Sequence, residues 1–173
     1  MDTQRAIDSL RVVRDFSDRP VDEDTVRAIV DAGRRAGSSK NLQRWDFVVV
    51  RDRARLSDLS SVGPYAGHLA GATVAIALVT PDPRADDAPL SVVFDLGRAA
   101  ENMVLAAWAR GIGSCPATVY EQVIARRLIG YPETHHCEYI FSFGHPADPD
   151  DLVRPNRAGG RKPLDEMIHR EAW

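Results

Sequence analysis

Apolar and polar positions along the chain follow two periods. Between Asp22 and about Ala36, Val26, Ile29, Val30 and Gly33 fall at i, i+3, i+4 and i+7. That is the stripe of an amphipathic helix, and Asp22 is a suitable N-cap for it. From roughly Ser91 to Arg110, the apolar residues Phe94, Leu96, Ala99, Ala100, Met103, Val104 and Ala107 cover most of a helical circumference. This pattern predicts a long helix central to the core, with Gly111 as its C-terminal stop. The run Thr73 to Thr80, TVAIALVT, has strand length and no polar face, so it reads as a central strand buried on both sides.

Shorter patterns fill in the rest. Thr3 to Leu10 reads as a helix with Ala6, Ile7 and Leu10 on one side, and Pro20 ends any regular element after it. Leu56 to Val62 and Val119 to Leu128 read as helices, Phe47 to Val50 and Tyr139 to Phe143 as strands. GSSKNLQRW and PDPRADDAP are loops by composition. Pro146 to Lys162 reads as an extended arm, and Pro163 to His169 as a last helical turn or two. With no internal repeat and no linker, the expectation is one domain over residues 1–173 with an α/β (α+β) sandwich fold. An arm with so little apolar content must lie on something, and a second copy of the chain is a candidate.

Composition narrows the class. Hydrophobic residues make up 44% and charged residues 27% of the 173, which excludes a disordered, collagenous or coiled-coil chain. Lys and Arg number 22 against 25 Asp and Glu, a net charge of −3, so the basic excess of a nucleic-acid binder is missing. Cys115 and Cys137 make neither a zinc site nor a disulfide framework, and free buried thiols are expected. The opening MDTQRAIDSLR is charged where a leader would be apolar, so no signal peptide is expected. The longest apolar stretch falls far short of the ~20 residues of a membrane helix. A cytoplasmic location fits both readings. His135, His136 and His145 lack metal-ligand spacing, so no metal site is expected.

Four groups of residues have chemical promise. Arg11 and Arg14 are three apart; if helical geometry continued they would share a face and fork onto one phosphate, and otherwise they are solvated. Gly37 to Trp45 gathers hydroxyls, an ammonium, two amides and an indole, suited either to a heteroaromatic ligand or to a plain helix-to-strand connection with Trp45 in the core. Gly111 to Pro116, GIGSCP, is not a dinucleotide fingerprint, because it follows a helix and Pro116 replaces the third glycine; it reads as a Gly-rich turn. Arg154, Arg157, Arg161 and Lys162 could complete an anion site or simply be a solvated basic arm.

Taken in order, LRVVRDFSDRPV, GSSKNLQRWDFVVV, DLGRAAENMVLAAWARGIGSCPA, FSFGHPA and GGRKPLDEMIHREAW resemble the nitroreductase-like flavin enzymes over nearly the whole chain. The resemblance implies a mixed, mainly antiparallel sheet flanked by helices, an intertwined homodimer, and FMN at an interface lined by both chains. The family's phosphate grip, R-R-S-x-R, corresponds to Leu10, Arg11, Val12, Val13 and Arg14, of which Arg11 and Arg14 match. Arg161 and Lys162 would compensate for the replaced arginine and serine. The family's P-S-S-x-N-x-Q-P-W loop corresponds to Gly37 through Trp45, so Ser38, Ser39, Asn41 and Gln43 would approach the flavin from the partner chain. Lys40 and the Asn41 amide are candidates to stabilise charge at the flavin N1–C2 carbonyl. Pro116, Ala117 and Thr118 belong to the segment whose backbone faces the flavin.

The implied activity is NAD(P)H-dependent reduction of a nitroaromatic, quinone or similar small acceptor by a ping-pong course, with no protein nucleophile because the cofactor carries the chemistry. Relatives of this fold also include reductive dehalogenases and a flavin-fragmenting enzyme. A non-catalytic flavin-binding module is the remaining alternative.

Overall fold

The computed structural model describes residues 2–154 and 160–173. Among the described residues, five α-helices and four strands follow in order: α1 Thr3–Ser9, α2 Glu23–Arg34, β1 Asp46–Val50, α3 Arg53–Leu59, β2 Val74–Pro81, α4 Ser91–Trp108, β3 Gly113–Thr118, α5 Gln122–Ile129 and β4 His135–Gly144. The strands form one sheet in the order β1-β2-β4-β3, and each pairing among them is antiparallel.

Strand β2 decides the layering. Its side chains alternate between the two faces, as a period of two requires. Val74, Ile76 and Leu78 join a core with Val26 and Ile29 of α2 and with Leu96, Ala99 and Met103 of α4. Ala75, Ala77 and Val79 join a second core with Leu56 and Leu59 of α3 and Ala125 of α5. Each fully buried Val, Leu or Ile contributes about 1.5–3 kcal/mol. The result is a helix–sheet–helix sandwich, with β2 buried on both faces as its sequence predicts.

Helix starts follow local chemistry. Asp22 accepts from the Thr25 amide at 2.7 Å and from its hydroxyl at 2.8 Å, and Glu23 and Asp24 in the first turn suit the positive end of the α2 dipole. Asp52 caps α3 in the same way, accepting from the Arg55 amide at 2.8 Å, which starts this helix three residues before Leu56. Gly111, with φ of +73°, turns the chain left-handed after α4 and admits β3.

Three expectations need correction. Only the start of the GIGSCP segment, at Gly111, is a turn: Gly113–Thr118 is the outer strand β3, where Pro116 is tolerated because an edge strand can lack one ladder donor. The N-terminal helix stops at Ser9, and Leu10 leaves the helical region at ψ 132°, so Arg11 to Arg14 do not continue it. Instead Val12 bridges Ser114 in parallel, and the Val13 amide donates to the Ser114 carbonyl at 2.9 Å. The last turns predicted from Pro163 reduce to a short 3-10 turn, Leu164–Glu166. Residues 160–173 are exposed throughout, whereas the start of the tail adheres to the body through a Phe16–Pro146 bridge.

Candidate functional site

The N-terminal segment lies against β3 because Val13 packs onto Gly113. A methyl group at Gly113 would come within 2.6 Å of Val13 Cβ, so glycine permits this approach. Two cavities open on either side of the resulting seam. The first, of about 520 Å³, is lined by Leu10, Arg11 and Val12, by Ser114 and Pro116 of β3, by Glu101 of α4 and by Arg161 of the tail. The second, of about 570 Å³, is lined by Arg14, Tyr65, His68, Cys115 and again Pro116. Pro116 is the ridge they share. Both volumes lie within the ~300–1,000 Å³ typical of small-molecule sites.

This geometry separates residues that the sequence grouped. Arg11 and Arg14 do not form one fork: the chain between them is not helical, and each lines a different cavity. Arg11 is instead joined by Arg161. Val12 lines the first cavity, while Val13 is buried beneath the segment at 1% exposure. Lys162 is exposed and lines neither cavity; Arg154 pairs with Asp148 at 2.6 Å; Arg157 lies outside the described residues. Ala117 turns its methyl into the second core, and Thr118 lines neither cavity.

The loop after α2 lines neither cavity of its own chain. Ser39–Asn41 makes a 3-10 turn, and Lys40, Asn41 and Gln43 all have left-handed φ, at 51°, 55° and 47°. Such conformations cost roughly 1–3 kcal/mol each for non-glycine residues and persist where the surroundings fix them. Here Ser38 Oγ accepts from the Gln43 amide at 2.9 Å, and Asp95 of α4 accepts from the Ser39 amide at 2.8 Å. Gln43 also donates to the Asn41 side-chain oxygen at 3.2 Å. Lys40, Asn41 and Gln43 stay exposed, and Trp45 goes to the core.

Asp95 and His68 escaped the sequence reading. Asp95, a buried acid between Phe94 and Leu96, carried a signal in its polarity amid apolar neighbours. His68, in a short Gly-punctuated stretch, carried none. Burial, then the charge of Arg14, lowers the His68 pKa, against a raising contribution from the Pro116 carbonyl. Burial raises the Cys115 thiol, which Arg14 partly offsets. Cys137 is pushed up to about 12 by burial in the core and is an unreactive thiol. No helix among the described residues is long and apolar enough to cross a membrane.

The first cavity offers two guanidinium groups, Arg11 and Arg161, beside the β3 backbone, and the second offers Arg14 with His68 and Cys115. The chain is similar to several known proteins. A protein of Archaeoglobus fulgidus provisionally named NADH dehydrogenase/NAD(P)H nitroreductase is 36% identical, with 94% of each chain covered. A Bacteroides thetaiotaomicron structure bearing the same provisional name superposes with a TM-score of 0.84 at 26% identity, over 98% of this chain and 97% of that one. A Desulfovibrio desulfuricans protein provisionally called a nitroreductase, solved in complex with FMN, superposes with a TM-score of 0.79 at 28% identity, over 98% and 96% of the two chains. The sequence model of the Nitroreductase family matches residues 7–62 and 59–145, and the chain belongs to that family.

Proposed function

We propose that this protein is an FMN-dependent oxidoreductase drawing electrons from NADH or NADPH and delivering them to a small electron-poor acceptor such as a nitroaromatic or quinone. The observation that carries the reading is the pair of cavities meeting at Pro116, with Arg11 and Arg161 in one and Arg14 in the other. A phosphate of about −1.5 to −2 charge calls for guanidinium groups, and the first cavity provides two. Arg11 and Arg161 hold that phosphate, with Lys162 close by in sequence. Arg14 supplies positive charge to the ring edge where negative charge collects, the role the sequence suggested for Lys40 and Asn41. The β3 segment at Pro116, which lines both cavities, would face the ring. Bound there, FMN supplies hydride acceptance from reduced nicotinamide and electron delivery to the acceptor, in two half-reactions sharing one cleft.

The loop carrying Ser38, Ser39, Asn41 and Gln43 serves the cavities of a second copy in a homodimer. Its absence from the cavities of its own chain supports this, as do the bare apolar residues of α4 and its approach: Leu90 is 96% and Phe94 69% exposed. The exposed tail, from Gly160 on, is the arm that packs on the partner. The two unpaired cysteines support a reducing, cytoplasmic setting.

The visible spectrum of the purified protein tests the reading. A flavin absorption that bleaches under anaerobic NADH or NADPH, and returns on adding an acceptor, is expected. A protein that stays colourless after soaking in FMN would overturn it.

A further inference from the structure

His68 stands on a 3-10 turn, Gly67–Leu69, fixed by Ala66 and Leu69, which are 1% and 0% exposed. From this turn the imidazole reaches strands far away in sequence. Its Nδ1 lies 2.7 Å from Ser142 Oγ on β4, and that hydroxyl donates at 3.3 Å to the Cys115 carbonyl on β3. A hydroxyl has one proton to give. When Ser142 gives it to Cys115, the hydroxyl accepts from His68 and the imidazole hydrogen sits on Nδ1; when Ser142 gives it to Nδ1, that hydrogen sits on Nε2. In the first of these tautomers Nε2 is a bare lone pair. It is buried with no hydrogen-bond partner among the described residues, although the Pro116 carbonyl is near enough to favour a proton on the ring. Orphaned buried polar atoms are rare, and one beside a cavity calls for a reason.

We propose that His68 is a positioning residue: through Ser142 it fixes the Cys115–Pro116 backbone, the ridge between the two cavities, and so sets the surface against which the flavin ring lies. This rests on the flavin reading above. The ridge needs such support because it belongs to the outermost strand and Pro116 has no amide to tie it further.

The same geometry makes the support sensitive to protonation. The charged and titratable groups sharing the cavity with the imidazole are Arg14, Asp15, Tyr65 and Cys115. Strand β4 presents the non-titrating Ser142, and α3 packs its Leu56 and Leu59 into the same core as Ala66 and Leu69. Burial and Arg14 together favour the neutral ring. A proton on Nε2 turns a bare lone pair into a donor facing the Pro116 carbonyl, so the ridge is then held at two carbonyls instead of one.

The test uses the full chain. Without cofactor, the backbone amide resonances of Cys115 and Ala117 are expected to move as His68 titrates below its ordinary value of 6.5. They should stay still in His68→Asn, whose amide nitrogen stands in for Nδ1 and does not titrate. With FMN added, His68→Leu should raise the dissociation constant about tenfold, the worth of one hydrogen bond, and change the fine structure of the visible band. His68→Asn should restore both. Thermal unfolding reports whether His68→Leu folds, and Ser142→Ala breaks the same relay if it does not.

Unmoving amides in the unsubstituted protein overturn the proposal, and so does a His68→Leu protein that binds FMN with unchanged affinity and spectrum. An unsubstituted protein that takes up no FMN overturns the functional reading instead, and the amide titration still decides the positioning role.

Discussion

The backbone amide of Ser39 donates to the Asp95 carboxylate at 2.8 Å, joining residues 56 apart and tying the left-handed turn after α2 to the middle of the sandwich. Asp95 is 5% exposed, so the acceptor of this bond is largely withdrawn from water. Replacing it by Ala should cost about 1.5–3 kcal/mol, the range for hydrogen bonds to a charged partner. Equilibrium urea unfolding measures the loss, and Asp95→Asn, which keeps an acceptor, should lose less.

Gly113→Ala places a methyl group 2.6 Å from Val13 Cβ, a branched side chain with little room to give. The expected destabilisation is about 1–3 kcal/mol, typical of overpacking. The thermal midpoint should fall, and FMN affinity with it, because the same contact seats Arg11 and Arg14.

Arg14→Ala should weaken FMN binding by about 1.5–3 kcal/mol while leaving stability nearly unchanged, since the side chain is exposed. Fluorescence titration of the apoprotein with FMN reads this directly. An unaltered dissociation constant removes Arg14 from the site.

Phe94 meets only the guanidinium of Arg98, 5.8 Å from its ring centre, among the described cation–ring contacts. Phe94→Glu should therefore leave the folded chain intact and convert dimers to monomers in sedimentation. A charge buried at an interface without a partner is the cause.

Acid should destabilise the fold in two windows. Burial and a neighbouring arginine hold His68 and His145 below 6.5: Arg14 acts on the first and Arg19 on the second, where Asp22 partly opposes. Between those lowered values and 6.5 the unfolded chain binds more protons than the folded one, so stability falls as pH drops. Asp2, Asp22 and Asp31 are held below the usual carboxylate value, mainly by helix-cap amides and by Arg34 and Arg35. Their contribution is lost only as pH falls below about 4. Urea midpoints should be lower at about pH 5.5 than at 7.5, and His145→Asn should flatten that first decline.

The elements that were legible in the sequence bury themselves by their own period. The α2 stripe, the two-faced β2 and the long α4 depend on residues within one segment. Strand β3 was not legible, because its Gly, Ser and Pro residues make a poor strand in isolation and its place at the sheet edge comes from β4. The site divides in the same way. Arg11, Val12, Arg14 and Pro116, which line the two cavities, were named from motif and charge. Asp95 and His68 work through partners 56 and 74 residues distant, and no local pattern records such pairs. The grouping of Arg11 with Arg14 failed on a single torsion, the extended ψ of Leu10.

The bridge from Val12 to Ser114 has a second effect. A sheet margin left bare offers unpaired amides and carbonyls to any passing chain. Four residues that carry two of the arginines also serve as a short selvedge along that margin. On the function proposed above, ligand capture and protection from sideways growth into aggregates are loaded on the same stretch, so lesions that unseat it would surrender both together.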